Sequence, residues 1–419
     1  MRWLLIGYMF LFIHRPFEVW PVLGEFRLEL LYALFTGGIW LISPGKRWIP
    51  NPMHRALCAF VLALLTAGVF SPWTAQTFAL MDMYLKLLFF YVVLVTVIHE
   101  EDGLKHVLKA FMIIMTVYIL HSVWQFVNGR YHFRMSIVRL IGVDASHSDP
   151  NSFAATLIFV LALTPALWFV STSVRWRGFL ICYGILTVGC IALTGSRAGF
   201  VSLVLWAGLA ILRSRRRFAL CGLALAASPF MWAALPPSLQ NRFETIINPE
   251  VGPLNAQVSA EGRLEGFWLG VELWQDNPLT GVGPGAWRPA TKRPLESHNL
   301  YGQVMGELGT FGVVTFAAVV LAFWFNVRRI RRVYRDHPTW EHDFLYHFGW
   351  CLGMALFLLL FNGLFGHNLY RYTWIWFGAF AIIARHCVEQ RLAEEAGVIC
   401  APAAAAPIGR QWGWSGEAA

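Results

Sequence analysis

Charged residues are scarce in this sequence. Only 14% of the 419 residues are Asp, Glu, Lys or Arg, and 57% are hydrophobic, whereas a soluble globular chain carries about 25% charged residues. This composition excludes an ordinary soluble domain and indicates a protein with the lipid bilayer as its main solvent. A transmembrane helix needs about 20 mainly apolar residues. Apolar runs of that kind cover 54–73, 78–98, 152–173, 299–326 and 342–364.

The motifs of common metal, nucleotide and hydrolase sites are also missing. There is no D-x-D pair, no H-E-x-x-H, no Walker spacing and no G-x-S-x-G elbow, and the seven cysteines include no C-x-x-C pair. The stretch G-V-G-P-G at 281–285 lacks the third glycine of a dinucleotide site. The net charge of +9 comes from short basic clusters beside helix ends. The sequence therefore predicts no metal, no cofactor and no nucleic-acid partner.

Hydropathy predicts an all-α integral membrane protein with about twelve transmembrane helices and one large external loop. The first apolar run, Trp3 to Ile13, has no cleavage site after it and is interpreted as a retained span. No internal repeat is recognised. The predicted spans are 2–14, 26–43, 54–73, 78–98, 104–127, 152–173, 177–194, 198–213, 217–235, 299–326, 342–364 and 368–387.

Basic clusters set the orientation. With this helix count they all fall on one side, which is then cytoplasmic by the positive-inside rule. Both termini lie on that side. Residues 1–387 are predicted to form the transmembrane domain with the external loop 235–298, which is periplasmic if the protein is bacterial, and 388–419 a cytoplasmic low-complexity tail. The clusters are Lys46, Arg47 and Arg55; Arg175 and Arg177; Arg213, Arg215, Arg216 and Arg217; and Arg328, Arg329, Arg331, Arg332 and Arg335.

The long loop has its own helical pattern. Apolar residues recur at helical spacing over 261–276, after a possible N-cap at Ser259 and before Pro278. Residues 277–287 are dense in Gly and Pro and predict a series of turns. The loop tryptophans are expected to anchor it at the membrane interface, with stacking on sugar rings as the alternative. They are Trp268, Trp274 and Trp287.

Two arginines are candidates for chemistry. Arg197, in T-G-S-R-A-G at 194–199, lies between two apolar helices, where an unpaired charge is costly. Its alternative interpretation is a side chain that snorkels to the interface. Arg263 lies in the first turn of the predicted loop helix. Its alternative is a solvated arginine paired with Glu261 or Glu265.

Further candidates flank two spans. His298 and Asn299 lie where the loop re-enters the membrane, and Glu307 follows inside the span, where it needs a partner or a proton. A lone histidine is more often structural than catalytic. Asp149, in D-P-N-S-F-A, is either a helix cap or a site residue. No role is assigned to His367, Asn368, Arg371 and Arg385 near the last span.

Taken together, three motifs resemble the O-antigen ligase and polymerase superfamily of bacterial envelope enzymes. They are T-G-S-R-A-G at 194–199, G-R-L-E-G-F-W-x-x-G-V-E-L-W-Q-D-N-P-L-T-G-V-G-P-G at 262–285, and S-H-N-L-Y-x-x-x-x-x-E-L-G at 297–309. The resemblance implies a metal-independent glycosyltransferase of the GT-C type in the bacterial inner membrane. It would transfer a glycan from undecaprenyl pyrophosphate to an acceptor hydroxyl, such as that of lipid A core, on the periplasmic face.

The resemblance also implies residue roles. His298 would be the essential loop histidine, and Arg197 and Arg263 would hold the pyrophosphate. This fits the chemistry, since guanidinium groups stabilise phosphate charge and a histidine accepts a proton near neutral pH. Inversion at the anomeric carbon is expected. The predicted substrate-binding residues are Asn299, Tyr301, Arg288, Asp149, Asn151 and Glu307.

Several functions share these motifs. A polymerase would use a second lipid-linked repeat as acceptor, and a protein O-glycosylating relative would use Ser or Thr. The alternative of a different class is a transporter of lipid-linked glycans, which would need charged residues along a path to the cytoplasmic side. Lys86 and Glu307 are the hints of such a path.

Overall fold

The computed structural model describes residues 1–134, 137–248, 255–340 and 342–397. In these residues the chain is a bundle of helices with one two-stranded antiparallel hairpin. The elements are α1 (Arg2–His14), α2 (Pro16–Val19), α3 (Pro21–Glu25), α4 (Leu28–Ile42), α5 (Pro52–Val69), α6 (Thr74–Val97), α7 (Glu101–Val127), β1 (His132–Arg134), β2 (Ile137–Arg139), α8 (Pro150–Leu161), α9 (Thr164–Val170), α10 (Val174–Leu193), α11 (Arg197–Arg213), α12 (Arg217–Ala233), α13 (Pro237–Glu244), α14 (Asn255–Asp276), α15 (Trp287–Thr291), α16 (Leu300–Asp336), α17 (Phe344–Gly363) and α18 (Tyr372–Glu395).

Helices occupy all twelve segments that hydropathy predicts as spans. Within the described residues, seven spans are long and apolar enough to cross a membrane: α5, α6, α7, α8 with α9, α10, α16 and α17. The chain is therefore a multi-pass membrane protein. Four other predicted spans, α1, α4, α11 and α12, have 13, 15, 17 and 17 residues. The twelfth is α18, which carries charges towards its end.

The helix that packs most deeply is α18. Its residues from Tyr372 to Ala384 are all buried, and the ring of Trp376 stacks on Phe90 of α6 with centroids 4.2 Å apart. The bundle therefore forms around α18, and the N-terminus of this helix is fixed in position by packing on all sides.

The loop helix α14 crosses the first half of α16 at glycines. Gly266 and Gly270 on α14 face Gly302 and Gly306 on α16, and a Cβ added at Gly302 would lie 2.6 Å from the carbonyl oxygen of Gly266. Spacing of small residues by four lets two helical backbones approach this closely. The crossing holds α14 against α16, the helix that starts next to His298.

The Gly- and Pro-rich stretch 277–287 forms the predicted turns, but its residues from 281 to 287 are packed inside the protein. Its Val282 N–H donates to the Gly306 carbonyl, and its Gly283 N–H donates to the Glu307 carbonyl, both at 2.9 Å. These bonds lie beside Gly309, which interrupts the helical geometry of α16 with φ 62°. Positive φ is a conformation that glycine adopts without strain. The stretch therefore completes the hydrogen bonds of a broken helix.

The loop helix and its tryptophans differ from expectation. The predicted N-cap at Ser259 is wrong, because α14 already includes Asn255. Trp287 is only 1% exposed and packs against Gly306, so it neither anchors the loop at the interface nor stacks on a sugar. Trp268 is 56% exposed, as an anchor requires.

Three other features of the fold also differ from the prediction. The predicted span 152–173 breaks into α8 and α9, since Pro165 cannot continue the hydrogen bonds of α8. The hairpin of β1 and β2 was missed by the all-α prediction. The last helix continues to Glu395, past the predicted end at 387. Most of the predicted tail, 398–419, lies outside the described residues.

Candidate active site

An open cleft of about 460 Å³ lies where several helix ends meet. Its walls come from the N-termini of α8 and α11, the end of α17, the segment before α16 and the segment before α18. The lining residues are Asp149, Asn151, Ser152, Ala155, Thr156, Phe159, Ala198, His298, Asn362, Phe365, Gly366, His367, Asn368 and Arg371.

Asp149 is both a helix cap and a cleft residue, so the two interpretations of D-P-N-S-F-A hold together. Its carboxylate accepts the Ser152 N–H at 2.9 Å at the start of α8. Burial alone would raise the pKa of Asp149, but this hydrogen bond and the positive charge of Arg139 lower it below its ordinary value. Arg139 also donates to Asn151 Oδ1 at 3.1 Å. Asp149 is therefore an ionised carboxylate at the cleft wall.

His298 lines the cleft beside a second histidine. Its ring centroid lies 5.5 Å from that of His367, with an angle of 49° between the planes. Asn299 caps α16 by accepting the Tyr301 and Gly302 N–H groups at 3.0 Å each, which fixes the backbone next to His298. Burial lowers the pKa of His367 to about 3, and the positive charge of Arg371 adds to this effect. His367 is therefore neutral near pH 7.

Arg197 and Arg263 are next to residues of the cleft: Arg197 directly precedes Ala198, and the Arg263 guanidinium lies 5.2 Å from the centre of the Phe365 ring. Burial lowers the pKa of Arg263 to about 10, and the next causes are the charges of Arg197 and Arg242, with Asp149 acting in the opposite direction. Arg197 Nη1 donates to Thr245 Oγ1 at 3.2 Å, and Arg242 Nε donates to the Gly195 carbonyl at 2.6 Å. Three guanidinium groups thus concentrate positive charge in a partly buried place.

The structure contradicts the snorkelling interpretation of Arg197 and the pairing of Arg263 with Glu265, whereas a pair of Arg263 with Glu261 stays untested. Arg197 bonds to the loop residue Thr245 inside the protein, so it does not snorkel to lipid. Glu265 pairs with Arg293 at 2.7 Å, while the guanidinium of Arg263 lies 5.2 Å from the centre of the Phe365 ring. The side chain of Glu261 lies outside the described residues.

Four predicted substrate-binding residues have protein partners and do not line the cleft. Asn299 caps α16, and the Tyr301 hydroxyl donates to the Leu360 carbonyl at 3.0 Å. Arg288 pairs with Glu296 at 2.7 Å near the surface. The fully buried carboxylate of Glu307 accepts from the Tyr370 hydroxyl at 2.6 Å and from the Gly285 N–H at 2.8 Å. Glu307 is thus hydrogen-bonded within the bundle. Substrate contact by these four stays a prediction, as it does for Asp149 and Asn151, which line the cleft.

The chain contains a short repeat that was not predicted from the sequence. The tetrapeptide His-Asn-Leu-Tyr occurs at 298–301 and again at 367–370. Both copies directly precede or begin a helix, and their histidines meet in the cleft. This short repeat was a readable signal for His367. Arg139 and Arg242 carried no such signal, because their partners are distant in sequence.

Part of the chain matches a known protein family. Residues 182–317, 136 of the 419, match the family model described as O-antigen ligase. No curated protein matches the chain. The described residues contain no group of three or more His, Cys, Asp or Glu side chains that could hold a metal ion. The family match includes Arg197, Arg263 and His298, and over residues 182–317 it confirms the resemblance to the O-antigen ligase superfamily that the three motifs predict.

Proposed function

We propose that this protein is a metal-independent inverting glycosyltransferase that transfers a glycan from undecaprenyl pyrophosphate to an acceptor hydroxyl, with lipid A core as the acceptor. One observation carries the proposal. Arg197 directly precedes the cleft residue Ala198, Arg263 lies against the cleft residue Phe365, and His298 lines the same cleft, so phosphate-binding groups and a proton acceptor lie around one open space.

The arginines supply the stabilisation that leaving-group departure needs. When the bond between the anomeric carbon and the phosphate oxygen breaks, its electron pair stays on the pyrophosphate. Guanidinium groups donate paired, geometrically fixed hydrogen bonds to phosphate oxygens. Charges fixed in a partly buried site stabilise developing negative charge more strongly than water does. Mutual repulsion in the unliganded cluster, which lowers the pKa of Arg263, is relieved when an anionic pyrophosphate binds.

His298 acts as the general base. The acceptor oxygen forms the new bond to the anomeric carbon and its proton passes to the imidazole. Asp149 is within electrostatic range of His298, whose charge contributes to lowering the pKa of Asp149, and an ionised carboxylate stabilises the imidazolium that forms. Attack from the face opposite the pyrophosphate inverts the anomeric configuration.

Helix directions support a periplasmic site. Both α11 and α16 begin at the cleft and run to basic clusters, one ending at Arg213 and the other carrying Arg328 to Arg335. Basic clusters mark the cytoplasmic side. In this orientation the chain crosses the bacterial inner membrane twelve times, with both termini cytoplasmic.

The two charged residues that suggested a transporter, Lys86 and Glu307, do not support this alternative. Lys86 Nζ pairs with Asp82 at 3.1 Å and with Glu29 at 3.3 Å. Glu307 is held by Tyr370 and Gly285. Both charges have local partners in the protein, so neither marks an open path across the membrane.

Reconstitution with a choice of acceptors tests the proposal. Purified protein in liposomes receives lipid-linked glycan together with rough lipopolysaccharide, a second lipid-linked repeat, or a Ser- and Thr-containing peptide. We expect glycosylated rough lipopolysaccharide, and its loss in His298→Ala. Products on only the second or third acceptor would identify a polymerase or a protein glycosyltransferase. Translocation of the lipid-linked glycan without transfer to any acceptor would identify a transporter.

A further inference from the structure

The second His-Asn-Leu-Tyr copy forms one wall of the cleft, and the proposed mechanism does not use it. His367, Asn368 and the following Arg371 all line the cleft. They lie in the short segment between α17 and α18, two helices packed in the core of the bundle. Their backbone is therefore well fixed, as a binding site requires.

Two buried polar atoms in this wall lack a hydrogen-bond partner among the described residues, namely His367 Nδ1 and Asn368 Oδ1. Asn368 is only 6% exposed, and its Nδ2 donates to the Leu359 carbonyl at 2.8 Å, which fixes the amide orientation. A buried polar group without a partner destabilises the folded protein. Such atoms beside a cleft indicate a ligand that supplies the missing hydrogen bonds.

Arg371 adds a third binding group. Within the described residues its guanidinium makes no hydrogen bond or ion pair, although burial lowers its pKa and the charges of Asp144 and Asp149 oppose that effect. Asp149 acts on both Arg371 and Arg263. The carboxylate of Asp149 is therefore within electrostatic range of both Arg371 and the cluster of Arg197, Arg242 and Arg263.

The chemistry of this wall fits a sugar better than a second phosphate. It offers an amide oxygen, a neutral imidazole and one guanidinium, which together can donate to and accept from neighbouring hydroxyl groups. The ionised carboxylate of Asp149 adds acceptor oxygens for hydroxyls. The same carboxylate repels an anion, whereas the arginine cluster attracts one.

We propose that His367, Asn368 and Arg371 form the acceptor subsite, which binds the hydroxyl groups of the acceptor's terminal sugar and presents one of them to His298. This inference rests on the proposed function and extends it. The pyrophosphate lies against Arg197 and Arg263, the acceptor sugar lies against the segment 367–371, and the reacting atoms meet at His298 between them.

Binding and kinetics together test the subsite. Rough lipopolysaccharide is titrated onto the donor-free protein, and KM is then measured for each substrate with the other saturating. His367→Leu and Arg371→Gln should each weaken acceptor binding and raise the acceptor KM about tenfold or more, since a site built for hydroxyls loses affinity when a hydrogen bond is removed. His367→Asn, which keeps a polar group near the Nδ1 position, should lose less. The donor KM should stay within twofold of the wild-type value.

Inorganic pyrophosphate separates the two regions. As an inhibitor it should bind Arg371→Gln as well as wild type and bind Arg263→Ala at least tenfold more weakly. Arg335→Gln, at the exposed far end of α16, is the control for a general loss of positive charge. Weaker pyrophosphate inhibition in Arg371→Gln would place Arg371 in the donor site and overturn the proposal. Unchanged acceptor affinity in folded His367→Leu and Arg371→Gln would also overturn it.

Failure of the proposed function has a different signature. Acceptor titration without donor reports on the subsite even when transfer itself does not occur. Transfer that persists in His298→Ala would refute the catalytic assignment and leave the binding result standing. Gel filtration and thermal unfolding establish that each variant is folded. If His367→Leu is not, His367→Asn and Arg371→Gln carry the test.

Discussion

Gly302→Ala should lower the rate of transfer although Gly302 does not line the cleft. The added Cβ would lie 2.6 Å from the Gly266 carbonyl oxygen and 2.8 Å from Phe267 Cα. Carbon atoms in favourable contact are about 3.5–4.0 Å apart, so α14 must move away from α16 by about 1 Å. Overpacking of this kind costs about 1–3 kcal/mol, which a fold with about 5–15 kcal/mol of stability survives.

The same shift is larger than catalysis tolerates. Arg263 lies on α14, one turn before Gly266, whereas His298 directly precedes α16. A misplacement of about 1 Å can lower a rate about 100-fold. We therefore expect Gly302→Ala to stay folded in detergent but to show kcat/KM for transfer lowered about 100-fold.

Gly262→Ala is the matched control. It adds the same methyl group to α14, where no atom lies within 4 Å of the new Cβ, and alanine favours a helix by about 1 kcal/mol over glycine. Transfer should remain at the wild-type rate. Wild-type kcat/KM in Gly302→Ala, or an equal loss in Gly262→Ala, would refute the role assigned to the glycine crossing.

Three further predictions follow from individual side chains. The pKa of Asp149 is lowered in the folded protein, so its charge stabilises the fold at pH values above the ordinary Asp pKa of about 3.9, and this contribution is lost as pH falls through the pKa of the folded state. Asp149→Asn should therefore lower the unfolding temperature at pH 7, and the difference from wild type should be smaller below about pH 4. Arg263→Lys should raise the donor KM nearly as much as Arg263→Ala, because a point charge lacks the paired donors of arginine, and rescue by lysine in a donor titration would contradict this. Trp287→Ala should lower the free energy of unfolding by about 3–5 kcal/mol, since Trp287 is 1% exposed, and a chemical denaturation curve unchanged from wild type would count against its place in the core.

The sequence predicted the helical segments well, because long apolar runs in lipid have few alternatives to a helix. It also identified Arg197, Arg263 and His298, which stand out as polar residues at the ends of apolar segments. The positions of these residues around one cleft could not be read from the sequence, since they depend on the glycine crossing between α14 and α16 and on the packing around α18.

Most of the errors have one physical cause, namely contacts between residues that are far apart in the sequence. By composition, Trp287 and the turns at 277–287 are typical of an exposed loop. In the structure, Val282 and Gly283 donate hydrogen bonds to the carbonyl groups of α16 next to the break at Gly309, and Trp287 is buried. Arg139 and Arg242 bind carbonyl groups far away in the sequence. The second His-Asn-Leu-Tyr copy is different, because it was visible and only its pairing with His298 was hidden.

The most direct test is transfer in the presence of EDTA by the wild type and His298→Ala. Purified protein is mixed with lipid-linked glycan and rough lipopolysaccharide, and the anomeric configuration of the new bond is determined. The account predicts that wild-type transfer survives EDTA with inversion, and that His298→Ala binds both substrates but forms no product. Wild-type turnover by His298→Ala, or loss of transfer in EDTA, would contradict it.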